Sequence, residues 1–353
     1  MTDLSAPSIA EDLPAVAVAP APAGTGGAEK PADLVLEGGG VKGIGLAGAV
    51  LELDQAGYRF QRVAGTSAGA IAAAIIAALN RAGQPISKLH DYLQTVQYEK
   101  FMAKSRLRAA LGGMADAEQL LLHMGMYDGD YLVDWLGGVL KDIGVVHFGD
   151  LRLDDPGADS TWTQYQRYSL VVHTSDITRG KLVRLPWDYN EYQMEADHER
   201  IVDAVRASMS IPFFFEPVRI RVPSTGTGPV ASGGRVTWVD GGLLDNFPVD
   251  VFDRADGAPS RWPTIGIKLS ARQTSIAAIH GSDNVAAEAI ACLETVLDNA
   301  SRFYVTPDSA ARTIFVDNGG IKATDFGLTT EQQQMLFDNG QNAARRWLAN
   351  PSG

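Results

Sequence analysis

Asp33-Leu-Val-Leu-Glu-Gly-Gly-Gly-Val-Lys-Gly43 decides the reading of this chain, because an apolar run of strand length stops there on three consecutive glycines. The run fits a buried parallel strand that emerges into a tight loop. Ile44, Leu46, Ala47, Val50, Leu51 and Leu53 then keep helical spacing up to Gly57, a residue type that commonly ends helices in the left-handed conformation. A second strand, Phe60 to Ala64, opens into Gly65-Thr-Ser-Ala-Gly69 and an Ala/Ile-rich helix. Strand, helix, strand, helix in this order implies right-handed crossovers in a central, mostly parallel sheet. The expected fold class is a three-layer α/β/α domain.

Residues 84–150 read as helical and irregular, a candidate cap over the sheet. Strand patterns resume at Tyr168–His173 and Lys181–Leu185, joined by Thr178-Arg-Gly180 as a hairpin turn. A helix from Glu199 to Met209 stops before Pro212. Arg235–Val239 is a strand ending on Asp240-Gly-Gly242, further strands are expected at Thr264–Leu269 and Arg312–Val316, and a helix at Thr329–Leu348 follows. One folded domain is expected over 32–349. Residues 1–31, rich in Ala and Pro and without periodicity, read as a disordered leader.

Composition narrows the partners. A net charge of −12 opposes broad electrostatic binding to nucleic acid or anionic bilayers, so no nucleic-acid partner is expected. Cys292 is the only cysteine, which excludes an intrachain disulfide and a Cys-rich zinc cluster, and its apolar neighbours suit a small core residue. The longest uncharged apolar run, Ala68 to Leu79, is shorter than the ~20 residues that span a bilayer and reads as a buried helix. The first residues lack the basic start of a Sec-type signal, so a cytoplasmic location or translocation by a non-Sec route is expected.

Gly65-Thr-Ser-Ala-Gly69 has the G-x-S-x-G form between a strand and a helix, where a sharp turn lifts a serine hydroxyl clear of the backbone. Ser67 is the candidate nucleophile; the competing reading is a serine that merely caps the helix. Gly38-Gly-Gly-Val-Lys-Gly43 satisfies G-x-G-x-x-G, but a dinucleotide site would want an acidic residue at the end of the second strand, where Gly65-Thr-Ser67 stands. The loop reads instead as backbone N–H donors for an oxyanion. Gly38, Gly39 and Gly40 are the candidates, with the Ala68 N–H as a second contributor. Lys42 either supports the developing charge or is a solvated lysine. Asp240, at a strand end before two glycines, either takes the serine proton or opens a turn, and burial would have to raise its basicity.

Three patterns in order, GGGxKG, GTSAG and DGG, resemble the patatin-like phospholipases from about Leu34 to Pro248. Ala207-Ser208 through Pro212 to Phe215 and Pro217, and Asp240-Gly-Gly-Leu-Leu-Asp-Asn-Phe-Pro248, are similar to blocks of that family. The resemblance implies the patatin fold and a Ser/Asp dyad without histidine, carried over to Ser67 and Asp240. It implies a glycine-rich oxyanion loop at Gly38 to Gly40 and hydrolysis of lipid acyl esters without a cofactor. Lys42 stands where the family often has Arg. Phospholipids and lysophospholipids come first as substrates; neutral glycerides or other small esters, and a partner-activated lipolytic effector toxin, are the alternatives.

A Ser/His/Asp triad is the mechanistic rival, and only His280 follows Asp240 in the order that α/β-hydrolases use. The other histidines form no metal-ligand set, and no metal is expected. Lys100, Lys104, Arg106 and Arg108, flanking Phe101, Met102, Leu107 and Leu111, form either a basic amphipathic helix for transient membrane-surface contact or a solvated face. Phe213-Phe-Phe215 reads equally as acyl-pocket lining or core.

Overall fold

The computed structural model describes residues 29–102, 125–127, 129–154, 162–223, 234–269, 295–296, 306–323, 325 and 327–349. In chain order β1 (Lys30–Leu36) leads through the glycine loop into α1 (Ile44–Gln55), and β2 (Tyr58–Thr66) leads through Ser67 into α2 (Ala68–Arg81). Then follow α3 (Lys88–Gln94), β3 (Gly125–Tyr127), α4 (Asp130–Ile143), β4 (Leu170–Asp176), β5 (Lys181–Leu185), α5 (Ile201–Ser208) and β6 (Phe213–Phe215). The remaining elements are β7 (Val218–Val222), β8 (Gly234–Asp240), β9 (Thr264–Lys268), α6 (Pro307–Ala311), β10 (Thr313–Phe315) and α7 (Thr330–Ala349). Lys30 and Pro31, read with the leader in the sequence, already pair with Tyr58 and Arg59 in β1. The rest of the leader up to residue 28, the basic positions 104, 106 and 108, Cys292 and His280 lie outside the described residues.

The fold is α/β, with helices around a mixed central sheet in the order β10-β9-β1-β2-β4-β8-β7, and β5 pairing with β4. β10, β9, β1, β2 and β4 are parallel, as right-handed crossovers through α1 and α2 require. β5 and β8 pair antiparallel with β4, β5 as the second arm of the expected hairpin, and β7 pairs antiparallel with β8. Burial of α2 from Ala68 through Leu79 explains its composition: small alanines let a helix lie close against a sheet, and every residue of its first three turns is buried. Among the described residues no helix is long and apolar enough to cross a membrane.

One pairing detail positions everything that follows. β5 occupies one edge of β4 from Val172 to Asp176, so the other edge is shared by two strands. β2 pairs in parallel with Leu170–His173, and β8 pairs antiparallel with Thr174–Asp176. The two strands thus run toward each other along β4, and their C-terminal ends meet with Thr66 opposite His173 and Asp240 opposite Thr174.

The long helix α7 packs on α1 by backbone approach. A β-carbon on Gly48 would lie 2.1 Å from the Phe337 carbonyl oxygen, and one on Gly340 would lie 2.0 Å from that of Gly45. Arg345 pairs with Glu52 at 2.5 Å beside this crossing.

Candidate active site

Ser67 sits between β2 and α2 at φ 52° and ψ −123°, a left-handed conformation that costs a non-glycine residue about 1–3 kcal/mol. The flanking glycines are there for space. A β-carbon on Gly65 would fall 2.2 Å from the Gly69 carbonyl oxygen, and one on Gly69 would fall 2.3 Å from that of Leu36. The turn therefore closes on itself and against the end of β1. The Ser67 side chain makes no capping hydrogen bond to α2, which sets aside the helix-cap reading.

Two residues to which the sequence reading gave no role hold the serine. The Ser67 N–H donates to Ser208 Oγ at 2.8 Å, and the Ser208 hydroxyl donates to the His173 carbonyl at 2.6 Å. The strained turn is thereby strapped to β4. The Ser67 hydroxyl itself lies against Met209 Sδ at 3.4 Å. Both partners belong to the 207–217 block, where position on a helix end could be read but a bond to residue 67 could not.

Asp240 ends β8 and is buried. Its Oδ1 accepts the Gly242 N–H at 2.8 Å, so the turn-opening role is real, while Oδ2 is buried with no hydrogen-bond partner among the described residues. Burial pushes the carboxyl up to about 7, against the Ser67 hydroxyl and the Gly242 N–H, which favour the charged form. A carboxylate with that affinity for protons is matched to proton transfer near neutral pH.

The three glycines differ from one another. The Gly38 N–H donates to the Asn246 carbonyl at 3.1 Å, and the Gly38 carbonyl accepts from Asn246 Nδ2 at 2.9 Å, so Gly38 has no donor to spare for an oxyanion. The Gly39, Gly40 and Ala68 N–H groups have no backbone acceptor among the described residues, Ala68 because it opens a helix. Gly40 needs its φ of +55°, and a β-carbon there would lie 2.0 Å from the Ala323 carbonyl oxygen. The Lys42 stem runs back along Gly39, with Cε 3.4 Å from where a β-carbon on that glycine would sit. Beneath the loop Glu37 is buried, paired with Lys268 and accepting the Leu269 N–H at 2.5 Å.

Beside these residues lies a partly open apolar cavity of about 30 Å³, bounded by Gly40, Ala68, Ile71, Tyr98, Met209 and Phe215. Phe215 is both core and lining, with Phe101 and Tyr127 against it at ring-centroid distances of 6.5 and 6.2 Å. Phe101, read as one side of a basic amphipathic helix, is buried on this cavity. His173 is the histidine nearest in the sheet, yet it neighbours Thr174 in β4 and so faces the side opposite that of Asp240. Burial drives its imidazole down to about 4. No group of three or more His, Cys, Asp or Glu among the described residues is placed to hold a metal.

A family model of patatin-like phospholipases matches residues 34–253, most of the described sheet and both motif-bearing turns. The chain belongs to the patatin-like phospholipase family. This patatin-like chain is also 34% identical over 319 residues to the uncharacterized protein YqhO of Bacillus subtilis (strain 168), across 90% of this chain and 97% of that one. Among solved structures, VipD from Legionella pneumophila has a TM-score of 0.48 at 18% identity, covering 91% of this chain and 67% of VipD. ExoU, in its complex with SpcU from the type III secretion system of Pseudomonas aeruginosa, has a TM-score of 0.39 at 18% identity. That match covers 92% of this chain and 52% of ExoU, so the chain spans about half of that protein. Patatin-like phospholipases act on lipids, the substrate class of the family to which this chain belongs.

Proposed function

We propose that the protein is a lipid acyl hydrolase of the phospholipase A or lysophospholipase kind, working through Ser67 and Asp240 without histidine. The reading rests on one observation above the rest: a buried carboxyl, raised to about 7, keeps one oxygen without a partner among the described residues beside a serine held in a strained turn. Asp240 takes the Ser67 proton as Oγ bonds to the ester carbonyl carbon, and the carbonyl electron pair moves onto oxygen. Gly39, Gly40 and Ala68 N–H groups receive that oxyanion, and the Lys42 ammonium adds favourable charge. Collapse of the intermediate breaks the carbon–oxygen bond to the leaving alkoxide, which takes the proton back from Asp240. A water molecule, losing its proton to Asp240, then attacks the acyl enzyme, and as that intermediate collapses Asp240 returns the proton to Ser67 Oγ and the fatty acid is released. The apolar cavity beside Met209 and Phe215 is where the first methylenes of the acyl chain fit.

Phospholipid substrates rest on the family, and neutral glycerides or small esters use the same chemistry. The test is turnover of p-nitrophenyl esters and of phosphatidylcholine and lysophosphatidylcholine by the wild type and by Ser67→Ala, Asp240→Ala and His280→Ala. Loss in the first two variants, by about 10³-fold or more, with His280→Ala active, is expected. Full activity in Ser67→Ala refutes the proposal, and loss in His280→Ala replaces the dyad with a triad.

A further inference from the structure

We propose that Asn246 is a positioning residue for the oxyanion loop: it clasps Gly38 by both backbone groups and so keeps the loop in place against Ser67. The inference rests on the function proposed above and adds to it the part that holds the donors still. Gly38 gives its N–H to the Asn246 carbonyl and its carbonyl to Asn246 Nδ2, across 208 positions of chain. No other glycine of the loop is held this way among the described residues, and Val41 fixes the far side by donating to the Ala323 carbonyl at 3.1 Å. The loop is thus pinned at both ends with Gly39 and Gly40 between.

The same side chain reaches the turn that follows the acid. A β-carbon on Gly242 would lie 2.7 Å from Asn246 Oδ1, and it is the Gly242 N–H that binds Asp240 Oδ1. A β-carbon on Gly38 would lie 2.1 Å from Asn246 Oδ1 and 3.1 Å from Ser67 Cβ. One amide therefore fills the space that two glycines leave open, one in the loop and one in the turn of the acid, directly behind the serine. The chemistry requires an amide. The Gly38 carbonyl needs a donor, which a carboxylate of the same shape would replace with a repelling oxygen. Gly38 is a glycine because that amide occupies its β-carbon position, and its two bonds explain why it offers nothing to the oxyanion.

Asn246 touches no reacting atom, so its removal acts through the placement of the Gly39 and Gly40 donors. A displacement of about 1 Å at a catalytic group can cost about 100-fold. The experiment uses the full chain as wild type, Asn246→Ala, Asn246→Asp, Gly38→Ala and the double variant Gly38→Ala/Asn246→Ala. Two readouts are p-nitrophenyl butyrate kinetics and affinity for butylboronic acid. Boron accepts the Ser67 oxygen to form a tetrahedral anion while the serine proton passes to Asp240, so boronate affinity reports the oxyanion donors without turnover.

The expected result is a fall in kcat of about 100-fold for Asn246→Ala and Asn246→Asp, with KM within about twofold and boronate affinity falling in step with kcat. The Gly38 N–H bond to the Asn246 main chain survives both substitutions, and near-ultraviolet circular dichroism is expected to stay native. Gly38→Ala displaces the same amide, so the double variant is expected to be no worse than the worse single one. Wild-type kcat in Asn246→Ala overturns the inference, as does a lowered kcat with unchanged boronate affinity, or additive losses in the double variant. Ser67→Ala, run beside these, separates the two claims. If it retains turnover and boronate binding, the proposed function falls and takes the inference with it; if it is inactive while Asn246→Ala is not, only the inference falls.

Discussion

Asp240→Asn separates what the buried carboxyl costs the fold from what it does for the reaction. In the native protein burial pushes this group up to about 7 from an ordinary 3.8, although Ser67 and the Gly242 N–H favour its charged form. Between those two values the folded chain keeps a proton that the unfolded chain has lost. The unfolded state binds fewer protons there, so the contribution of Asp240 to stability falls as pH rises and becomes constant above about pH 7. A gap of about three pH units at about 1.4 kcal/mol each corresponds to about 4 kcal/mol of destabilisation. The asparagine substitution keeps the shape and the Oδ1 bond to Gly242 but cannot ionise. Urea unfolding followed by tryptophan fluorescence at about pH 4.5, 6 and 8 is the measurement. The variant should exceed the wild type by about 1 kcal/mol at pH 4.5, about 3 kcal/mol at pH 6 and about 4 kcal/mol at pH 8, while losing ester turnover. Wild-type kcat/KM should rise with pH through a midpoint near 7 as the base ionises. A stability difference independent of pH, or activity already on its plateau at pH 5, refutes the reasoning.

Two further outcomes test the frame and the pocket. Gly48→Ala drives a β-carbon to 2.1 Å from the Phe337 carbonyl oxygen, a backbone atom that cannot turn away, so α1 and α7 must separate. The expected loss is about 1–3 kcal/mol in urea unfolding, and an unchanged midpoint would show that the helices do not cross this closely. Ile71→Trp fills the apolar cavity beside Met209 and Phe215. In a p-nitrophenyl ester series it should reduce turnover of octanoyl and longer esters more than that of acetyl esters, and an equal effect on all chain lengths would place the acyl chain elsewhere.

Much of the fold was legible because its signals are local. The apolar run ending at Leu36, the helical spacing to Leu53 and the glycines around Ser67 each reflect sterics within a few residues, and β1, α1, β2 and α2 stand where that pattern puts them. The hairpin of β4 and β5 was legible for the same reason, through its short turn. What local signals leave out is the antiparallel end of the sheet. β8 reads as one more strand in the sequence, and nothing in Arg235–Val239 says that it meets β2 head-on along β4.

The roles at the site divide in the same way. Ser67, Asp240 and the glycines carry motif letters, and the sequence alone put them forward as a set. It treated Gly38, Gly39 and Gly40 alike, whereas the folded chain uses Gly38 as an anchor and leaves the Gly39 and Gly40 N–H groups without a backbone acceptor among the described residues. Ser208, Met209, Asn246 and the Glu37–Lys268 pair act across 141 to 231 positions of chain, through hydrogen bonds and contacts that no periodicity encodes. The sequence by itself determined the elements, their order and the chemical groups at their ends, because backbone sterics and hydrophobic spacing are short-ranged. Only the tertiary structure decided which ends meet and how deeply Asp240 is buried. A carboxyl becomes basic by losing water on every side, and that depends on all the strands packed around it.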